Sequence, residues 1–265
     1  EISVHIAQRL KISLVLFLLV LCASCAGIPT PNVEITSTPT FFQPAPAQPT
    51  PIPEEPVLFV SNGVPEDWLK KIDSFPQISR TEQKEQANLF FTVHIGKFVE
   101  PQVFSSTRVY AVVEPFFTIR DEISSNELKD LWSGKAVEGQ HQTLVVSEET
   151  AQVIGAVWGK PAGEVQIISP DNLLAYCEEH PKALAILPFE DLSPRWKVLR
   201  LDGLSPLDKF LAVDRYPLTI HYTLQSHLSN PSMVSEIVEL FSDALPLTNR
   251  DESKMTVLMM TGTTA

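Results

Sequence analysis

The sequence predicts an α/β domain, and three observations carry that prediction. After residue 56, short apolar runs of strand length alternate regularly with segments whose apolar residues recur at helical spacing. Prolines or small hydroxyl residues stand where the predicted helices begin, which is where they are favoured. The chain has 265 residues, and 44% of them are hydrophobic, so a sizeable core can form. The roughly 200 residues after the proline-rich stretch suit one large domain or two smaller lobes.

The strands are predicted from short apolar runs bounded by turn signals. The first run, 57–60, is entirely apolar, as expected of a buried strand, and Ser61-Asn62-Gly63 follows it. A second turn signal, Asp202-Gly203, comes after one of the later runs. The predicted strands are 57–60, 89–95, 108–113, 144–146, 165–168, 183–187, 196–201 and 216–222.

The helices are predicted from apolar periodicity and from the residues at their ends. Pro65 opens the first helix, Ser124 or Ser125 is the N-cap of the second, and Gly134 ends the second. The last helix has an apolar face, with steps of three and four residues, that we expect to pack on a core. That face consists of Met233, Ile237, Leu240 and Phe241. The predicted helices are 65–72, 124–132, 147–158, 170–179 and 231–245.

The first 25 residues have the pattern of an export signal. Arg9 and Lys11 precede an apolar run at 12–21, and Cys22-Ala23-Ser24-Cys25 follows it. A run of about ten apolar residues is too short for a membrane span, which needs about twenty. The small pair before the second cysteine resembles the lipobox of bacterial lipoproteins. That resemblance implies that Cys25 is lipidated and that the protein is extracytoplasmic, anchored to the cell membrane; ordinary cleavage nearby, giving a secreted protein, is the alternative.

Residues 26–56 form a predicted linker that is rich in proline and threonine. Proline fixes φ and lacks a backbone donor, so such a segment stays extended, at about 3 Å per residue. We expect it to be a stalk for the domain at 57–246. If Cys25 is lipidated and Cys22 is removed, Cys177 has no cysteine left to pair with, so the fold must hold without an internal disulfide.

The net charge of −12 and the sequence pI near 4.9 narrow the classes of partner. Such a molecule repels the phosphate backbone of nucleic acid and the anionic surface of a membrane. We therefore expect no nucleic-acid partner. A small anion is still compatible with this charge, because N–H groups at a helix N-terminus can bind it locally.

The sequence contains no motif for a metal, a cofactor or catalysis. The six histidines lack zinc spacing, and neither a Gly-x-Ser-x-Gly elbow nor a Gly-x-x-x-x-Gly-Lys phosphate loop occurs. We therefore expect no cofactor, no metal site and no enzyme activity in the residues present.

Five stretches of the domain follow one another in a recognisable order. They are 109–115 (Val-Tyr-Ala-Val-Val-Glu-Pro), 123–135, 183–189 (Ala-Leu-Ala-Ile-Leu-Pro-Phe), 197–206 and 216–218. In this order they resemble the hinge strand, following helix, return strand and end of the phosphate-binding-protein branch of the type II periplasmic solute-binding fold. The resemblance covers about 57–245 and implies two α/β lobes that close on a ligand. It places the lobe crossovers near 109–114 and 185–189.

The same resemblance implies a set of ligand-facing residues. They are Ser61, Asn62 and Gly63 after the first strand, and Ser147 and Thr150 at the start of a helix in the second lobe. An ordinary turn and an ordinary helix cap are the alternative explanation of the same residues. Where phosphate binders carry serine, glycine and threonine, this chain has Glu148 and Glu149, whose charges oppose phosphate. We expect a small polar or anionic ligand, or a scaffold that binds none.

The C-terminal residues suggest the start of a second domain. Residues 250–254 read as a linker, and 255–262 (Met-Thr-Val-Leu-Met-Met-Thr-Gly) resemble the opening strand of CapA-type proteins of capsule and poly-gamma-glutamate synthesis. In that family an aspartate follows, whereas this chain has Thr263, a poor ligand for a hard cation. We expect 247–265 to be a linker and the first strand of a CapA-like domain that continues beyond Ala265. A last strand of the solute-binding domain is the alternative.

Three functions are consistent with these observations. The first is a lipid-anchored ligand-binding module that works with a transporter or with surface-polymer machinery. The second is a capsule-synthesis hydrolase or phosphatase whose active domain lies beyond Ala265. The third is a structural envelope domain with a filled cleft.

Overall fold

The computed structural model describes residues 54–96, 100–135 and 142–257. Three predictions fall outside this range: the export signal at 1–25 with its lipidated Cys25, nearly all of the linker at 26–56, and the C-terminal strand beyond residue 257. None of the helices in the described part of the chain is long and apolar enough to cross a bilayer.

Within the described ranges, strands and helices alternate as the sequence predicts. The strands are β1 (Val57–Val60), β2 (Ser79–Thr81), β3 (Leu89–Ile95), β4 (Phe104–Pro115), β5 (Glu122–Ile123), β6 (Thr143–Val146), β7 (Gln166–Ile167), β8 (Ala183–Pro188), β9 (Trp196–Val198), β10 (Arg200–Leu201) and β11 (Thr219–Ser226). The α-helices are α1 (Glu66–Asp73), α2 (Ser125–Trp132), α3 (Glu148–Trp158), α4 (Leu173–Glu179) and α5 (Pro231–Ala244). The sequence analysis missed β2, β5 and the first four residues of β4.

The main strands form two half-sheets that share one long strand. The order is β2-β1-β3-β11-β4 in the first half-sheet and β7-β6-β8-β4-β9 in the second. In each half-sheet three parallel strands are followed by an antiparallel strand, and a further parallel strand lies beyond it. This repeated order confirms the predicted fold class, an α/β domain built from two lobes.

Strand β4 carries the chain from one half-sheet to the other. Its first six residues pair with β11, where Val109 lies opposite Thr219, and its later residues pair with β8 and β9, where Tyr110 lies opposite Pro188. The crossover expected near 109–114 falls within this strand. The same strand therefore contributes side chains to the packing of both lobes.

The return crossover lies later in the chain than the sequence analysis placed it, near 185–189. That segment is mostly β8, which pairs with β4 and β6 and lies inside the second half-sheet. The chain reaches the first half-sheet again only between β10 and β11. The segment is apolar because a strand enclosed by neighbours on both edges and both faces needs apolar side chains, and no crossing is required to explain it.

The predicted apolar face of the last helix packs on the first half-sheet. On α5, Ile237 is 1% exposed and Phe241 is fully buried, while Met233 and Leu240 pack against the same core at its margin. The Phe241 ring lies 5.3 Å from the Phe91 ring of β3, centroid to centroid. This helix covers the half-sheet to which β1 and β3 belong, and so it fixes the strands that lead into the cleft.

Candidate ligand-binding site

A cavity of about 1070 Å³ opens between the two half-sheets, beside the C-terminal ends of β1 and β2. One wall is the loop at 61–64, and the other is the face of α3 that carries Glu148, Gln152 and Ala156. Ligands of open α/β sheets bind at the carboxyl ends of the strands, so this is the first candidate for a binding site. Much of the remaining lining is apolar: Phe59, Val60, Val64, Leu69, Ala151, Pro161 and Ile167.

The loop after β1 is held rigidly against its own half-sheet. The Ser61 backbone N–H donates to the Phe91 carbonyl oxygen at 3.0 Å, and the Ser61 hydroxyl oxygen accepts from the Val93 N–H at 3.1 Å. The Tyr222 hydroxyl donates to the Gly63 carbonyl oxygen at 3.4 Å. These bonds orient the loop, and they leave Asn62 exposed at the rim of the cavity.

At Gly63 the two lobes approach each other closely along this wall. The φ of Gly63 is +88°, in the left-handed region that favours glycine, and a Cβ built on it would lie only 2.5 Å from the Ala156 Cβ on α3. Any side chain here would therefore push the loop away from the helix. The glycine is required by this close approach as well as by the turn.

Ser147 and Thr150 serve the start of α3 and do not line the cavity. The Ser147 hydroxyl oxygen accepts from the Thr150 N–H at 3.1 Å, and the hydroxyl donates to the Thr150 Oγ1 at 3.0 Å. Both side chains are buried. Of the five predicted ligand-facing residues, the structure thus brings Ser61, Asn62 and Gly63 to the cavity, whereas the other two form a helix cap.

The charges around the cavity balance. Arg80 and Lys160 contribute two positive charges to its lining, and Glu82 and Glu148 contribute two negative ones. Arg80 also lies 2.9 Å from an Asp73 carboxylate oxygen, so part of its charge is already neutralised. Both signs of charge around an apolar wall suit a solute with an apolar body and polar groups better than they suit a bare anion.

A second polar cluster, centred on Arg108, lies where β4 passes between the lobes. One guanidinium nitrogen of Arg108 is 3.1 Å from a Glu149 carboxylate oxygen on α3, and the other binds Glu190 in the turn after β8. The Arg108 side chain is 12% exposed, and its guanidinium carbon lies 5.8 Å from the Trp68 ring centroid. Arg108 pairs with β11 in the first half-sheet, whereas both carboxylates lie on elements that adjoin strands of the second, so these ion pairs join the lobes.

The environment of Arg108 keeps it charged. Burial alone lowers the pKa of its guanidinium, but the neighbouring Tyr110 and Glu190 oxygens outweigh this effect and raise the pKa above its ordinary value. The sequence analysis missed this residue. The sequence hint that could have found it is that two charged residues, Arg108 and Glu114, flank the apolar run 109–113. In the structure the Arg108 side chain is 12% exposed and Glu114 is 7% exposed. Charges so close to a buried run need partners, but the sequence does not say which.

The C-terminal segment packs along β4 beside this cluster. The Asn249 side chain accepts from the Val109 N–H at 2.7 Å and donates to the Val109 carbonyl oxygen at 3.0 Å, and it also donates to Glu190. Arg250 is 4% exposed, and it donates to the Pro206 carbonyl oxygen at 2.7 Å. Residues 247–250, which the sequence analysis assigned to a linker, are thus held in the fold by hydrogen bonds, and 255–257 belong to no strand.

Two histidines stack on the neighbouring strands β3 and β11. The rings of His94 and His221 lie 5.4 Å apart, centroid to centroid, and are nearly parallel. Burial, and then the proximity of His221, lowers the pKa of His94 to about 4. Among the described residues, no three His, Cys, Asp or Glu side chains come together as a metal site requires. Burial also lowers the pKa of His221, although the charge of Asp214 opposes this effect.

Comparisons with known proteins identify the fold. No family model matches the sequence, and no curated protein matches it. The chain is similar to an ABC-type phosphate transport receptor from Vibrio cholerae, with 10% identity, a TM-score of 0.52, and coverage of 72% of this chain and 98% of that one. A possible phosphate binding protein from Planctomyces limnophilus DSM 3776 has 12% identity, a TM-score of 0.49 and the same coverages. At such identities the likeness shows the fold alone: the domain has the periplasmic-binding-protein-like architecture.

Proposed function

We propose that this domain is an extracytoplasmic solute-binding module whose ligand occupies the cavity between the loop at 61–64 and helix α3. The observation that carries the proposal is the position of the cavity, which lies between two half-sheets joined by β4 and beside the C-terminal ends of β1 and β2. The fold shared with a phosphate transport receptor from Vibrio cholerae supports it. The module holds its ligand between the lobes, without making or breaking bonds.

The contacts offered to such a ligand come from both lobes. Ser61 and Asn62 provide hydroxyl and amide groups on the first lobe, and Glu148 and Gln152 provide polar groups on the second. Gly63 keeps the backbone of the loop close to α3, so a ligand in the cavity contacts both walls. We infer that Ser147 and Thr150 contribute only through the helix that they cap.

The balanced lining favours a small solute that combines an apolar body with polar groups, and it disfavours free phosphate. A phosphate receptor needs several donors or cations that converge on one point. Here Glu82 and Glu148 accompany Arg80 and Lys160, and apolar side chains separate these groups. Amino acids and short peptides have the required combination, and they head the list of solutes to be tested.

A thermal-shift screen of the purified protein tests this function. A solute at about 100 times its Kd stabilises the folded state by about 2.7 kcal/mol, which raises the Tm of a domain of this size by about 5–10 °C. Gln152→Ala should reduce this shift because it removes a polar group from the cavity wall. Gln77→Ala, an exposed glutamine outside the cavity lining, is the matched control and should leave the shift unchanged.

Two outcomes would contradict the proposal. Amino acids, short peptides, sugars and oxyanions could all leave the Tm unchanged, which would favour a structural domain with a filled cleft. Alternatively, a solute could bind equally well to the Gln152→Ala protein and to an Asn62→Ala protein. Binding would then lie away from the cavity.

We further propose that Cys25 carries a lipid and that the stalk at 26–56 holds the domain away from the membrane, within reach of a transporter or of surface-polymer machinery. This proposal is supported by the sequence of the first 56 residues. Mass spectrometry of the mature N-terminus tests it: a diacylglycerol modification on Cys25 is expected, and Cys25→Ala should release the protein into the medium. An unmodified mature protein that starts at another residue would contradict it.

The enzyme alternative rests on the resemblance of 255–262 to the opening of CapA-type proteins. We propose that such a domain, if it follows, would act on surface polymer while the solute-binding module regulates or positions it. The codons beyond Ala265 decide this question. A further domain with histidine and aspartate clusters would support it, and an early stop codon would contradict it.

A further inference from the structure

We propose that Glu149 and Glu190 act as a built-in carboxylate ligand of Arg108, and that they keep oxyanions from a guanidinium between the lobes that would otherwise bind them. This inference rests on the proposed function, because it concerns which solutes the space between the lobes accepts. It also assigns a chemical class, the oxyanions, to a site that the wild-type protein fills with its own side chains.

The geometry of Arg108 is that of an occupied receptor. Its two terminal nitrogens are each taken by a different carboxylate, Glu149 at 3.1 Å and Glu190 at close contact. A guanidinium presents a planar fork of donors that matches two oxygens of a carboxylate, a phosphate or a sulfate. The orientation of this guanidinium is restricted by the Trp68 ring 5.8 Å away and by burial, since the side chain is only 12% exposed. It is therefore preorganised for an anion.

Glu190 is held in place, as a structural ligand would be. The Asn249 amide donates to its second carboxylate oxygen while the same side chain bonds both the N–H and the carbonyl oxygen of Val109. Two elements distant in sequence thus fix one carboxylate against Arg108. A glutamate that served only solubility would not need hydrogen bonds to both Asn249 and Arg108.

An anion from solvent could reach the arginine if the glutamates were absent. The Glu149 and Glu190 side chains are 55% and 39% exposed, so their removal opens a path to the guanidinium. Asp191 lies in the same neighbourhood, and burial, followed by the charge of Glu190, raises its pKa. In the wild type three acidic side chains therefore surround one arginine, and an incoming oxyanion meets net repulsion.

Isothermal titration of the full chain with inorganic phosphate, sulfate and acetate tests the proposal. The wild type should show no binding at anion concentrations up to about 10 mM. The Glu149→Ala/Glu190→Ala protein should bind at least one of these anions with a Kd at least about tenfold below that limit. Adding Arg108→Met to the double variant should abolish the gain. Glu178→Ala, which removes the partner of the exposed Arg195, is the matched control and should gain nothing.

Two results would overturn the proposal. Wild-type protein that binds phosphate and loses it on Arg108→Met would show that the arginine is already an open receptor. A double variant with wild-type circular dichroism that gains no anion binding would show that the carboxylates do not occupy an anion site. If the double variant does not fold, the single variant Glu149→Ala decides by the same titration, because Glu149 is the more exposed partner.

The titration separates this inference from the proposed function. If amino acids and other solutes fail to bind the wild-type cavity, the proposed function is contradicted. The double variant would still gain phosphate binding if Glu149 and Glu190 fill an anion site. Conversely, a solute that binds in the cavity and is lost in Gln152→Ala would stand even if the double variant gained nothing.

Discussion

Replacing Gly63 by alanine should force the loop at 61–64 away from helix α3, and the structure gives the size of the effect. The added Cβ would lie 2.5 Å from the Ala156 Cβ, which is well inside van der Waals contact. The left-handed φ of +88° costs about 1–2 kcal/mol for a residue with a Cβ. The overlap adds about 1–3 kcal/mol, as overpacking usually does. We expect Gly63→Ala to lower the free energy of unfolding by about 2–5 kcal/mol in total.

Gly203→Ala is the matched control for this substitution. Gly203 has a φ of +77°, but a Cβ built on it would meet nothing within 4 Å. The control therefore carries the backbone strain, about 1–2 kcal/mol, without the overlap. Both variants also lose the same conformational entropy of glycine in the unfolded chain, so this contribution cancels in the comparison. The difference between them isolates the contact between the lobes.

Urea denaturation of a double-mutant cycle measures the contact directly. Ala156→Gly removes the atom that the new Cβ would strike and by itself costs about 1 kcal/mol, because glycine is unfavourable in a helix. Combined with Gly63→Ala, it should restore about 1–3 kcal/mol relative to the sum of the single effects. Additivity within about 0.5 kcal/mol, or a Gly63→Ala variant no less stable than Gly203→Ala, would refute the reasoning that the lobes touch at this point.

Three further predictions follow from buried groups. Ser147→Ala should lower the free energy of unfolding by about 1 kcal/mol because α3 loses its N-cap, and Ser147→Asp should recover most of it; equal urea midpoints for the wild type and Ser147→Ala would contradict this. The lowered pKa of His94, about 4 against 6.5 in the unfolded chain, means that the unfolded state takes up the proton first. Stability should therefore be complete above about pH 6.5 and decline towards pH 4, and His94→Gln should flatten this dependence in urea midpoints measured across the range. Burial raises the pKa of Cys177 to about 12, so a disulfide reagent at pH 8 should leave the native thiol unmodified and react once urea unfolds the chain; rapid native labelling would contradict the burial.

The strands and helices could be predicted from the sequence wherever their own side chains form a recognisable local pattern. Strands β1 and β3 were predicted with their observed bounds, since β1 is entirely apolar and five of the seven residues of β3 are apolar. The first part of β4 was missed because it contains Ser105, Ser106 and Thr107, which resemble a loop. Backbone pairing with β11 makes it a strand, and the buried Ser106 hydroxyl donates to the Pro246 carbonyl oxygen at 2.5 Å. Such partners, 140 residues apart, leave no trace in a local window.

The site residues show the same limit. The local signature is the same for Ser61-Asn62-Gly63 and for Ser147 with Thr150: small polar residues before a helix or in its first turn. In the structure the first group borders the cavity, and the second turns inwards to cap α3. A local pattern states that a helix begins there, but only the packing of the lobes decides whether its side chains face a ligand or the helix itself.

The adjacent glutamates at the start of α3 have different surroundings in the structure. On the sequence, Glu148 and Glu149 form a single acidic feature that opposes phosphate. Consecutive helical residues point about 100° apart, however, so Glu148 lines the cavity while Glu149 reaches Arg108 on β4. One carboxylate thus contributes to the charge balance of the cavity, and the other neutralises the cation that an oxyanion would need. The proposed exclusion of anions therefore depends on the internal pairing of Arg108 with partners 41 and 82 residues away, as much as on repulsion by the acidic pair.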